Sequence, residues 1–105
     1  MPQEATPETF ADLTSYGAVL VDFWGPRCAP CLAQMPHVAK LEEDAAGAFK
    51  VVKVLAPENR QVCRDLKVFG LPTYIAMRDG QEVDRISGND VDMDAVRALA
   101  ERLTA

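Results

Sequence analysis

Between Ala18 and Trp24 the chain carries seven residues with a single charged side chain, Asp22, in an otherwise apolar run. A continuous run of that length reads as a strand buried on both faces. Downstream the period changes: Cys31, Met35, Val38, Leu41 and Ala45 recur at steps of three and four, which predicts an amphipathic helix. Pro36 falls inside that helix and is expected to kink it, because proline removes one backbone hydrogen bond and crowds the preceding turn. Phe49 to Leu55 is rich in valine and reads as a second strand, and Thr73 to Met77 as a third. Asp79-Gly80 predicts a two-residue hairpin turn into Val83 to Ser87, and Gly88 breaks the chain after it. Three further helices are expected. Thr6 caps the first, with Pro7 at its first position, Phe10 and Leu13 on its apolar face, and Gly17 ending the unit. A short one spans Asn59 to Leu66, turning Val62, Cys63 and Leu66 inward. The last is capped by Asp90 or Asp92, with Met93, Val96, Leu99 and Leu103 as its inner face.

This order of elements predicts an α/β protein: a mixed sheet covered by helices on both faces. The early strands should be parallel through right-handed crossovers, and the hairpin should add an antiparallel edge. No internal repeat, low-complexity segment or linker is visible, so residues 1–105 are expected to form one domain.

Composition narrows the partners. The net charge is -5 and basic residues do not cluster, which argues against nucleic acid. No apolar run approaches the roughly 20 residues of a membrane span. The first residues, Met1-Pro2-Gln3-Glu4-Ala5, have neither the basic segment nor the apolar core of a signal peptide, so a cytoplasmic location is expected. Three cysteines cannot all pair within one chain, which argues against a disulfide-stapled secreted scaffold.

The chemistry is expected at Cys28-Ala29-Pro30-Cys31. Cys28 falls just past the buried strand, where the following helix begins. Backbone N–H groups and the helix dipole favour a thiolate there, and Arg27 adds a positive charge beside it. Pro30 suits a first helical turn. Cys31, one turn on, lies on the apolar face and should be more sheltered. An exposed attacking thiolate and a sheltered resolving thiol are what dithiol–disulfide exchange needs. Zinc is the main competitor, but a structural site needs four ligands, and the rest of the chain offers only Cys63 and His37. Two inert buried thiols are the other alternative. His37 is expected on the helix surface with no role, and Cys63 in the core, where a free thiol behaves as a small hydrophobe.

From Thr6 onward the chain resembles the thioredoxin family. The resemblance rests on Val21-Asp22-Phe23-Trp24, the Cys28/Cys31 motif, Pro36 five residues beyond it, Lys53, Leu71-Pro72-Thr73, the Asp79-Gly80 turn and Gly88. It implies the thioredoxin fold, with about five strands flanked by four helices, and a protein disulfide oxidoreductase whose working group is a Cys28–Cys31 disulfide, with no bound cofactor or metal. Cys28 would attack the target disulfide and Cys31 would resolve the mixed disulfide. Pro72 would be a cis-proline facing the cysteines and holding the substrate chain extended. Asp22 would lie beneath Cys31 and take its proton, with Lys53 as its partner. Trp24 would wall the site, and Ala29, Pro30, Leu71, Thr73 and Gly88 would shape it. The implied partners are protein disulfides and an NADPH-dependent thioredoxin reductase or similar donor, the protein being a monomer.

The chain also departs from the family pattern. Arg27 stands where a tryptophan is usual and Ala29 where a glycine is, Leu32 replaces a common basic residue, and Ala56-Pro57 replaces an acidic stretch. Losing the flat apolar contact keeps two other readings open: a binding module whose cysteines are incidental, and a more oxidising oxidase or isomerase. Arg27 would favour the latter, because stabilising the reduced thiolate makes the disulfide a stronger oxidant.

Overall fold

The computed structural model describes residues 1–104. Its elements in chain order are β1 (Gln3–Glu4), α1 (Phe10–Thr14), β2 (Ala18–Trp24), α2 (Ala29–Ala45), β3 (Lys50–Leu55), a 3-10 turn (Ala56–Glu58), α3 (Arg60–Asp65), β4 (Thr73–Arg78), β5 (Gln81–Ser87) and α4 (Met93–Thr104). The five strands form one mixed sheet in the order β1-β3-β2-β4-β5. β2 lies centrally, parallel to β3 and antiparallel to β4. Asp79 and Gly80 both take positive φ, at 52° and 81°, as a tight turn between β4 and β5 requires.

Because strand side chains alternate, the sheet splits the core in two. Leu20, Val51, Tyr74 and Ala76 point toward Val38 of α2 and Val96, Leu99 and Leu103 of α4. Val19, Val21, Phe23, Val52, Val54, Ile75 and Met77 pack on the other face with Cys63, Val68 and, half-buried, Phe10 and Leu13. Each buried valine or leucine contributes roughly 1.5–3 kcal/mol of transfer free energy. The face shared with α2 also carries Asp22, which has Lys53 and Tyr74 as its register neighbours on β3 and β4.

Some expectations shift. The first regular helix begins at Phe10 rather than Pro7. Thr6 and Thr9 instead close a tight turn, the Thr6 N–H donating to Thr9 Oγ1 at 2.8 Å and the Thr9 N–H to Thr6 Oγ1 at 3.2 Å. The N-terminus adds β1, which pairs with β3 through Gln3↔Val52 and Glu4↔Lys53. Two exposed polar residues carry no alternating pattern that could announce a strand. Other expectations stand: Pro36 falls inside α2, and of the two capping candidates it is Asp92 that caps α4, its Oδ1 accepting from the Ala95 N–H at 2.8 Å.

Candidate active site

Where β2 ends, the chain must turn sharply to start α2. Gly25 eases the entry, since a Cβ there would come within 3.1 Å of Leu71 Cδ1 and push that side chain aside. Gly25 to Cys28 then forms a reverse turn closed by the Cys28 N–H donating to the Gly25 carbonyl at 3.1 Å, with Pro26 in the position where its fixed φ suits a turn. Cys28 is the N-cap of α2: its backbone is extended and its Sγ accepts from the Cys31 N–H at 3.2 Å. The first sulfur thus lies at the positive end of the helix dipole. Ala29 and Pro30 form the opening of the helix, where proline loses no hydrogen bond.

Cys28 and Cys31 are joined by a disulfide, their Cα atoms 5.2 Å apart. Cys31 is fully buried, whereas Cys28 is half-exposed. Cys28 opens into a groove of about 750 Å³ that it shares with Arg27, Pro57, the Leu71-Pro72 pair and Gly88. The Leu71–Pro72 peptide is cis. Its position is fixed from both sides, with Thr73 Oγ1 donating to the Gly70 carbonyl at 2.7 Å and the Gly88 N–H donating to the Pro72 carbonyl at 3.0 Å. Of the expected site residues, Arg27, Ala29, Pro30, Leu71, Pro72 and Gly88 all meet at this groove.

Asp22 is 1% exposed, on the sheet face covered by α2. Neither carboxyl oxygen has a hydrogen-bond partner among the described residues. Burial pushes its pKa up to about 7, against a lowering by the Lys53 charge and a further raising by Glu4. The expected direct pairing with Lys53 is not what the side chains adopt. Lys53 Nζ lies 3.6 Å from Glu4 Oε1 and 5.2 Å from the centroid of the Trp24 ring, and the Trp24 Nε1–H donates to Glu4 Oε2 at 3.1 Å. The physical reason is β1: its register sets Glu4 beside Lys53 at the accessible edge, where an ion pair avoids the desolvation that a buried pair would suffer. Lys53 therefore acts on Asp22 only through space.

The thioredoxin family model matches residues 2–102. The chain belongs to the thioredoxin family. It is 36% identical over 88 residues to the thioredoxin of Listeria monocytogenes, covering 84% of this chain and 85% of the relative. It is 39% identical over 87 residues to thioredoxin 1 of a Nostoc species, covering 81% of each. Among solved structures, a mutant thioredoxin from Halobacterium salinarum superposes with a TM-score of 0.87 at 32% identity, across 99% of this chain and 91% of that one. Thioredoxins are disulfide oxidoreductases, and the Cys28–Cys31 disulfide at the head of α2 makes this thioredoxin a thiol–disulfide oxidoreductase.

Sequence reasoning missed a buried polar chain in this thioredoxin. The Tyr74 hydroxyl donates to Gln34 Oε1 at 2.8 Å, and Gln34 Nε2 donates to the Val91 carbonyl at 3.2 Å, both buried. Burial and the nearby Asp22 hold the Tyr74 hydroxyl well above the ordinary phenol range. The chain ties β4, α2 and the segment after Gly88 together, and Val91 lines the groove. Its only sequence signal is Gln34 three residues after Cys31, on the face the helix buries. His37 is exposed, and Cys63 is a buried free thiol whose pKa burial raises. No helix among the described residues is long and apolar enough to cross a membrane.

Proposed function

We propose that this thioredoxin reduces protein disulfides, with Cys28 attacking and Cys31 resolving. The carrying observation is that one sulfur of the disulfide meets an open groove while the other is shut off from solvent. In the reduced protein the Cys28 thiolate attacks one sulfur of a target disulfide. A Cys28–target S–S bond forms, the target bond breaks, and its other sulfur leaves as a thiolate that takes a proton from water. The Cys31 thiol then gives its proton to the Asp22 carboxylate and attacks the Cys28 sulfur. The mixed disulfide breaks, the second target thiolate leaves, and the Cys28–Cys31 disulfide remains, carrying the two electrons' worth of oxidation.

The side chains support each role. Asp22, with its pKa near 7, is divided between both protonation states at neutral pH, as a proton acceptor should be. Pro72 faces Cys28 across the groove, where Leu71 and Thr73 hold it for an extended target segment. Trp24 and Lys53 act behind the site, bracing Glu4. An NADPH-dependent thioredoxin reductase, or a donor of similar chemistry, returns the dithiol. The chain works as a cytoplasmic monomer of one domain, in electron transport and cell redox homeostasis, with no bound cofactor.

Reduction of insulin with dithiothreitol as donor tests this reading. Cys28→Ser should fall to the uncatalysed rate, and Cys31→Ser should accumulate a mixed disulfide with the target. Full biological function in a double Cys→Ser variant would instead support a binding module.

A second reading, a more oxidising exchanger, is favoured by Arg27. It is exposed at the groove and forms no ion pair among the described residues, so its charge is free to stabilise the Cys28 thiolate. In an Arg27→Trp variant the pH midpoint of Cys28 alkylation should rise. An unchanged midpoint would remove the electrostatic argument.

A further inference from the structure

A second groove of about 400 Å³ opens beside the first, and Pro57 and Leu71 belong to both. Its floor is apolar, with Ala56, Val68 and the buried Cys63. Phe69 stands at its rim with 84% of its surface exposed, a large aromatic side chain with little of its own chain to cover it. Arg60 and Arg64, one turn apart on the outer surface of α3, line the same groove. Neither forms an ion pair with any described carboxylate; Arg64 bonds only the neutral Gln61 amide, at 3.1 Å. Glu58, on the turn just before α3, pairs with neither of them, and Asp65 accepts from Gln61 at 2.7 Å. The other arginines outside the first groove are engaged: Arg85, Arg97 and Arg102 each have a carboxylate, and Arg78 donates to the Leu103 carbonyl.

The guanidinium groups with neither a carboxylate nor a backbone carbonyl among the described residues, Arg27, Arg60 and Arg64, therefore all line the two adjoining grooves of this acidic chain. The second groove adjoins the first at Pro57 and at Leu71, the residue directly before Pro72. We propose that the second groove is a docking subsite for the target polypeptide, and that it selects segments carrying acidic residues beside an apolar one. The apolar residue would cover Phe69 and the floor, while the carboxylates meet Arg60 and Arg64. Guanidinium groups suit this task, since they stay charged and bind carboxylates through two parallel hydrogen bonds. The subsite rests on the disulfide-reductase reading and adds to it a target chemistry.

The test uses two synthetic peptides, each closed by one disulfide and containing one leucine, flanked on one side by three glutamates or by three lysines. The full-length protein, with dithiothreitol as donor, should reduce the glutamate peptide about three- to tenfold more efficiently in kcat/KM at low salt, and the ratio should shrink toward one at high salt. Replacing both arginines (Arg60→Ser with Arg64→Ser) should collapse the ratio mainly through KM. Both positions are exposed, so the variant's fold is secure. Phe69→Ser should lower kcat/KM for both peptides alike. Equal rates for the two peptides in the unmodified protein would overturn the subsite and leave the reductase reading intact. A ratio that survives in the double variant overturns it too. No reduction of either peptide, with no reduction of insulin, would bring down the reductase reading and the subsite with it.

Discussion

Asp22 carries two carboxyl oxygens with no hydrogen-bond partner among the described residues, inside the sheet, and its titration is coupled to stability. In the native protein it keeps its proton up to about pH 7, whereas in the unfolded chain it ionises near 3.8. Between those values the native state binds more protons, so stability falls as pH rises, and the full cost is present above about pH 7. The separation corresponds to a penalty on the order of 4 kcal/mol. Asp22→Asn in the oxidised protein should therefore raise the urea midpoint clearly at pH 8 and hardly at all at pH 3.5; an equal gain at both would refute the linkage. The same variant should slow disulfide turnover if Asp22 takes the Cys31 proton as proposed; an unchanged rate would refute that role. Tyr74→Phe is the second single-residue prediction. It leaves the buried Gln34 Oε1 without its donor and should cost about 1–2 kcal/mol, read as a drop of several degrees in Tm.

At the scale of elements, the end of α3 shows how a short helix is held. Val68 N–H reaches back to the Cys63 carbonyl at 2.8 Å and Lys67 N–H to the Arg64 carbonyl at 3.1 Å, the paired bonds of a left-handed helix stop. Lys67 occupies the left-handed position, with φ 58°. The Arg85 guanidinium on β5 completes the stop by donating to the Leu66 carbonyl at 2.7 Å, while it is held by Glu82 at 2.6 Å. Lysine bears a Cβ that this conformation disfavours. Lys67→Gly should therefore stabilise the protein by about 0.5–1 kcal/mol in chemical denaturation, without changing turnover. The sequence announced α3 through Val62, Cys63 and Leu66, but not this stop, because the residue at the turning point is not a glycine.

At the scale of the whole molecule, the N-terminal strand reaches Asp22 through charge. β1 is two residues long, yet its Glu4 holds Lys53 and the Trp24 indole and adds negative potential at Asp22. Glu4→Gln removes that potential and frees Lys53 to act on Asp22, so the Asp22 pKa should move down. Carboxyl-carbon NMR of Asp22 would show it, and the stability difference between Asp22 and its Asn variant should shift to lower pH in parallel. An unmoved titration would mean that Glu4 and Lys53 merely brace the edge of the sheet.

Most of the strands, the four helices and the cysteine pair were legible because each rests on local chemistry. The apolar run at Ala18–Trp24 buries on both faces wherever it lies, the steps of α2 give one apolar stripe, Asp79-Gly80 accepts positive φ, and Cys28 at a strand-to-helix junction is an N-cap. Long-range geometry decided the rest. Only the sheet order sets Glu4 next to Lys53, which takes Lys53 from Asp22 and leaves the acid unpartnered. Only packing brings Gln34 to Tyr74, forty positions away, and aligns the rim of α3 with the groove beside Pro72. Backbone preference acts over a few residues and is written along the chain. Ion pairing, desolvation and groove shape depend on distances that exist once the sheet has formed.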